Sequence, residues 1–117
     1  MEALRRLEVW KRACRFAVDV YKATGACPDR GYRDQVTRSA LSIASNVAEG
    51  YERETPKERL RFLLIAKGSC AECWTQLLIG IEAGLVPSEI GQTLVREAEQ
   101  LAKMLGGLAK HFQDRTS

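Results

Sequence analysis

The residues of this chain that could do chemistry are few, and they fall into three sets. The first is Cys70-Ala71-Glu72-Cys73, the spacing of a redox pair or of half a metal site. Either chemistry needs help: a helix N-terminus to draw down a thiol pKa, or a second ligand pair to complete a tetrahedron. The pair falls within a helical pattern, with no second CxxC and no paired His. The thiols are therefore read as small buried hydrophobes, and no metal or cofactor is expected. The second set is two carboxylates, Glu49 and Glu72, which could share acid–base work. No nucleophile–base pair or glycine-rich phosphate loop accompanies them. The lone His111 is read as a helix-end charge or a surface residue rather than a general base. A small-molecule or enzymatic site around Glu49 and Glu72 is the alternative reading; the main one is that the chain is not an enzyme. The third set is basic: Arg5, Arg6, Lys11, Arg12 and Arg15 near the start, and Lys57, Arg59 and Arg61 around the middle. These are either solvated outer faces or a phosphate-binding surface without base readout.

The whole chain sets the bounds. Its 117 residues allow one domain, residues 1–117, and a composition 45% hydrophobic and 28% charged is that of a soluble globular protein. Residues 1–67 carry 14 Lys and Arg against 9 Asp and Glu, while residues 68–117 carry 4 against 6. The acids dilute the field of the basic half, so any nucleic-acid binding is expected to be weak. No continuous apolar run approaches the roughly 20 residues of a membrane span, and no secretory signal opens the chain. A cytoplasmic protein with reduced thiols and no membrane partner is expected.

The elements that must position these groups are all helical, since apolar residues recur every three or four positions and no strand pattern appears. The first helix is predicted from residue 4 or 7 to residue 24, with Leu7, Trp10, Cys14, Ala17, Tyr21 and Thr24 on its buried stripe. Pro28, Asp29 and Gly31 mark a loop. A second helix is predicted to start between residues 32 and 34 and to end between 49 and 52, burying Val36, Ala40, Ile43, Val47 and Gly50. In Thr55-Pro56-Lys57-Glu58 a capping oxygen, a proline at the first helical position and an acid three residues on announce a third helix. It should run to residue 83, stop at Gly84, and bury Leu60, Leu63, Leu64, Cys70, Trp74, Leu77, Leu78 and Ile81. The last helix opens near Pro87 or Ser88 and reaches about His111. Its stripe is Ile90, Leu94, Ala98, Leu101, Leu105, Leu108 and Phe112, interrupted by Gly106-Gly107, where close packing or a bend is expected. Residues 113–117 read as a flexible tail. Four amphipathic helices with short connections predict an all-α fold, an antiparallel up-down-up-down four-helix bundle.

Two polar stripes exceed what such a bundle needs. Ser39, Ser42, Asn46, Glu49 and Arg53 share one face of the second helix, and Phe62, Ile65, Ser69, Glu72, Gln76 and Ile79 one face of the third. They are half-exposed boundary positions with local bonds, a hydrogen-bonded seam between helices or subunits, or a ligand site. Small residues Gly68, Ala71, Thr75 and Gly80 on the third helix allow close approach of a neighbour. Tyr51, at a helix end, is expected to be exposed and without an aromatic companion, which argues against base stacking.

At Asp34-Gln35 with Arg38, the run Ser42 to Arg53, and Phe62 to Ser69 with Glu72, the pattern resembles the bacterial four-helix bundle family that includes the proteins encoded by intervening sequences of 23S ribosomal RNA genes. The likeness spans nearly the whole chain. It implies a small cytosolic bundle, homopentameric assembly and no established enzymatic activity. It also suggests a role with RNA, from where some members are encoded. Its motif residues here are Gln35, Arg38, Ser42, Asn46, Glu49, Arg53, Ser69 and Glu72, which coincide with the polar stripes. The resulting expectation is a self-associating, cyclic homo-oligomer that serves as a scaffold or as a weak, sequence-indifferent RNA-binding protein.

Overall fold

A computed structural model describes residues 1–116, which form five helices and no strand: α1 (Glu2–Arg5), α2 (Glu8–Ala23), α3 (Arg30–Tyr51), α4 (Pro56–Glu82) and α5 (Ser88–Asp114). The fold is all-α, but the expected first helix is split in two. Leu7 is extended (φ −78°, ψ 114°) and caps α2, while Leu4 on the single turn of α1 tucks into the core. The buried face of α2 is also turned from the expected stripe. Val9, Ala13, Phe16, Ala17 and Val20 are buried, Trp10 and Cys14 half-buried, and Tyr21 exposed. Large rings with a polar edge sit at the boundary, and the small residues occupy the centre where helices meet.

Helix α3 starts earlier than expected, because the Asp29 side chain accepts from the Tyr32 N–H (3.0 Å) and Gly31 lies inside the first turn. Its apolar stripe is fully buried as predicted. Thr55 accepts from the Glu58 N–H at 3.2 Å with Pro56 as the first residue of α4. At its far end Gly84 takes φ +75°, and the Leu85 N–H closes on the Gly80 carbonyl at 2.8 Å. Leu63, Ala66, Cys70, Cys73 and Leu77 line the core, whereas Leu64 and Trp74, expected there, are exposed. Helix α5 runs unbroken through Gly106-Gly107. A Cβ at Gly107 would meet nothing, and one at Gly106 only the end of Lys67, so no close packing explains the pair. The helix also takes in Gln113 and Asp114, expected in the tail, because Phe112 is buried and anchors the last turn; Ser117 lies outside the described residues.

α3 packs against α2 and α4, and α5 against α4 and α2, around one core in a body of 45 × 24 × 21 Å. Tyr32 meets Gln76 and Ser42 meets Ser69, so α3 and α4 run antiparallel. Ile81 lies by Gly91 and Trp74 by Glu99, which sets α5 antiparallel to α4.

Candidate functional site

The polar stripes meet along the α3–α4 junction. Ser42 and Ser69 hydroxyls lie 2.8 Å apart, and Asn46 Nδ2 donates to the Ser42 carbonyl (2.8 Å) and hydroxyl (2.9 Å). Ser39 Oγ donates to Gln76 Oε1 at 2.6 Å, and the Tyr32 hydroxyl donates to the Gln76 carbonyl at 2.7 Å. Ser39 and Ser69 are buried, so each needs such a partner. One end of the junction is tight: a Cβ at Gly50 would lie 3.0 Å from the Phe62 Cβ. The other is tighter still, for a Cβ at Gly80 would run into the Tyr32 hydroxyl and come within 2.6 Å of its Cζ. The missing side chain of Gly80 thus makes room for an internal neighbour rather than for another molecule.

The remaining motif residues stand apart from this network. Glu49 is exposed and pairs along its own helix with Arg53 Nη2 at 2.9 Å. The Arg53 guanidinium also lies 4.8 Å from the Phe62 ring centre, with its buried Nε unpartnered. Gln35, Arg38 and Glu72 face solvent and make no hydrogen bond among the described residues. Neither Glu49 nor Glu72 lines any of five surface clefts of about 250 to 570 Å³.

Helix α4 turns a second, largely apolar face outward. Leu64 (50% exposed), Ile65, Trp74 and Ile79 (57%) flank a floor of exposed Gly68, Ala71 and Thr75, with the exposed Glu72 carboxylate on the Ile65–Ile79 side. The Trp74 indole N–H is tied to Glu99 at 3.0 Å, which fixes that wall of the floor. By length and composition α4 could cross a membrane, yet only 33% of its most apolar 18-residue stretch is buried within the chain.

The basic residues have diverse settings. Arg12 is engaged with Glu97 of α5 through Nη2 (2.6 Å) and Nε (3.0 Å), a fork that raises its pKa further. Lys11 and Arg61 stand near Glu8 (3.8 Å) and Glu58 (3.7 Å) on their own helices. Arg5, Arg6, Arg15 and Lys57 are exposed and unpaired among the described residues. Arg59 donates from Nε to the Arg53 carbonyl at 2.9 Å and lies against Tyr51. Tyr51 itself is half-buried and edge-on to Phe112, not exposed and alone as expected, because the end of α5 covers it. The sequence offered no sign of this grouping, since Phe112 comes from a helix 61 positions away along the chain.

All four cysteines are free thiols, with Cys70 and Cys73 buried in the core. Burial pushes Cys70 up to about 12 and Cys73 to about 11, so both are protonated and poor nucleophiles near neutrality. Among the described residues no group of three or more His, Cys, Asp and Glu could hold a metal ion.

Residues 5–107 match the model of the family described as 23S rRNA-intervening sequence protein. A crystal structure at 1.70 Å of a protein of unknown function, from the S23 ribosomal protein family of Bacteroides thetaiotaomicron, aligns with a TM-score of 0.81. The alignment covers 87% of this chain and 98% of that one at 20% identity, a likeness that shows the fold alone. No curated protein matches the chain. Matched along most of its length, the chain belongs to the 23S rRNA-intervening sequence protein family.

Proposed function

We propose that this is a non-enzymatic, self-associating cytoplasmic protein, an up-down-up-down four-helix bundle whose copies meet through the outer face of α4. The observation that carries this reading is the exposed apolar face around Gly68, Ala71 and Thr75. Small residues between larger apolar walls suit a helix of another copy, whose backbone can approach closely. A membrane is a poorer occupant: the same helix supplies Leu63, Ala66 and Leu77 to the core, and inserting it would dismantle the fold. A cyclic oligomer requires this face to meet a different one on the next copy, and five copies is the number the family resemblance implies. Such a ring would serve as a scaffold. Against the catalytic alternative, Glu49 is occupied by Arg53 and Glu72 has no hydrogen-bond or ion-pair partner among the described residues.

Sedimentation velocity across a wide concentration range tests the assembly. Wild type is expected to sediment as one species larger than the monomer. The Leu64→Lys/Ile79→Lys variant is expected to be monomeric with unchanged helicity. A wild-type protein that is monomeric throughout would overturn the reading.

A second reading is weak, sequence-indifferent RNA binding. Its support is placement: Lys57, Arg59 and Arg61 belong to the start of α4, which shares one end of the molecule with the end of α5, while Arg5 and Arg6 add exposed charge near the start of the chain. Binding by such a surface would weaken steeply as salt rises.

A further inference from the structure

We propose that the end of the molecule where α3 passes into α4 is a binding site for a nucleotide phosphoester. The inference rests on the RNA-binding reading, which it gives a place and a ligand unit, and it is independent of self-association. The site is a cleft of about 390 Å³ lined by Tyr51, Glu54, Arg59, His111, Phe112 and Arg115.

Arg59 is the fixed point. Its Nε is bonded to the Arg53 carbonyl, and its guanidinium carbon lies 5.6 Å from the centre of the Tyr51 ring and 5.9 Å from that of Phe112. Its two terminal nitrogens have no partner among the described residues. A guanidinium immobilised in this way, with both outer nitrogens free, is set to donate two parallel bonds to anionic oxygens. His111 is held edge-on against Phe112 with centroids 5.0 Å apart, and it adds a donor together with Arg115 from the close of α5. The positive end of α4 at Pro56 reaches the same cleft but is opposed there by the negative ends of α3 and α5, so an anion would be held by the side chains.

The lining also says why the ligand is more than a bare anion. Glu54 stands in the same cleft and would repel a polyphosphate, whereas a ribose hydroxyl can donate to it. The volume is within the range of small-molecule sites and far exceeds that of one phosphate group. A phosphoester on Arg59, His111 and Arg115 with its sugar toward Glu54 uses the four basic and acidic side chains that line the cleft.

Uridine monophosphate, a short mixed-sequence single-stranded RNA and inorganic phosphate should be titrated by calorimetry against the full chain. The variants are Arg59→Gln and the double variant His111→Asn/Arg115→Gln. The double variant changes only exposed groups, so it gives an answer even if Arg59→Gln fails to fold. Affinity for the nucleotide probes is expected to fall at least roughly tenfold in each folded variant. A loss for both the mononucleotide and RNA supports a site for free nucleotide; a loss for RNA alone supports a site for the strand. RNA binding unchanged in these variants but abolished by Arg5→Gln/Arg6→Gln/Lys57→Gln overturns the cleft while leaving the RNA reading intact. No saturable binding by either nucleotide probe, or inorganic phosphate bound as well as both, overturns the proposal.

Discussion

The Tyr32 hydroxyl fills the space where Gly80 has no side chain and donates to the carbonyl of Gln76, one turn before it. Gly80→Ala must displace that ring and break the bond, and should lower stability by about 1–3 kcal/mol in urea unfolding. Tyr32→Phe loses the bond alone and should cost about 1 kcal/mol. Tyr32→Phe together with Gly80→Ala should cost less than the sum, because each change alone already breaks the same bond to the Gln76 carbonyl, although the ring still has to move from the new Cβ. The core thiols make a second residue-scale prediction. Cys70 and Cys73 are raised above the ordinary 9.0 by burial. Their stabilising effect is complete below the unfolded value and is lost as pH rises through about 11 to 12. Unfolding midpoints should therefore fall on the alkaline side, and less steeply in Cys70→Ala/Cys73→Ala, whatever that variant costs in packing at neutral pH. Equal slopes would show that the thiols do not report burial.

At the scale of the helix, spacing and caps settle most boundaries. Thr55-Pro56 starts α4 and Gly84 ends the turn after it because each residue supplies a local need: an acceptor, a fixed φ, a positive φ. The stripe of α3 was equally readable, because Val36, Ala40, Ile43 and Val47 recur at spacings of 4, 3 and 4, while Leu41, an exposed large aliphatic off that face, has no large apolar companions at helical spacing. α2 was harder. Trp10 and Tyr21 attract any reading based on size, yet the face that fits between α3 and α5 is the one with Ala13 and Ala17. The last turn of α5 depends on Phe112 finding Tyr51, a contact no window along the chain contains. Gly107 offers a test of propensity without packing. Its Cβ would meet nothing, so Gly107→Ala should stabilise the protein by about 1 kcal/mol, seen as a higher unfolding midpoint. A loss of stability would mean that a second copy or ligand approaches that backbone.

The whole molecule explains why the candidate sites were only half visible beforehand. Ser42, Asn46 and Ser69 announce a seam by their spacing, but the Arg59 cleft exists only once three helix ends have been gathered. Topology also gives Arg12 its role. It joins α2 to Glu97 on α5, 85 positions away, and both side chains are partly screened at 35% and 29% exposure. Arg12→Ala should therefore cost about 1 kcal/mol, and Glu97→Ala about the same, with little added in the double variant when urea midpoints are compared.

That fork has a wider consequence. Beside it, α2 and α5 leave a surface groove of about 370 Å³ above the buried Phe16 and Leu94, so a charged clasp holds the join between the first and last long helices from the solvent side. A structure closed in this way has a weakest edge. Amide hydrogens of α2 should exchange with solvent before those of α3 and α4, and raising ionic strength should hasten that opening while leaving the serine-lined junction shut.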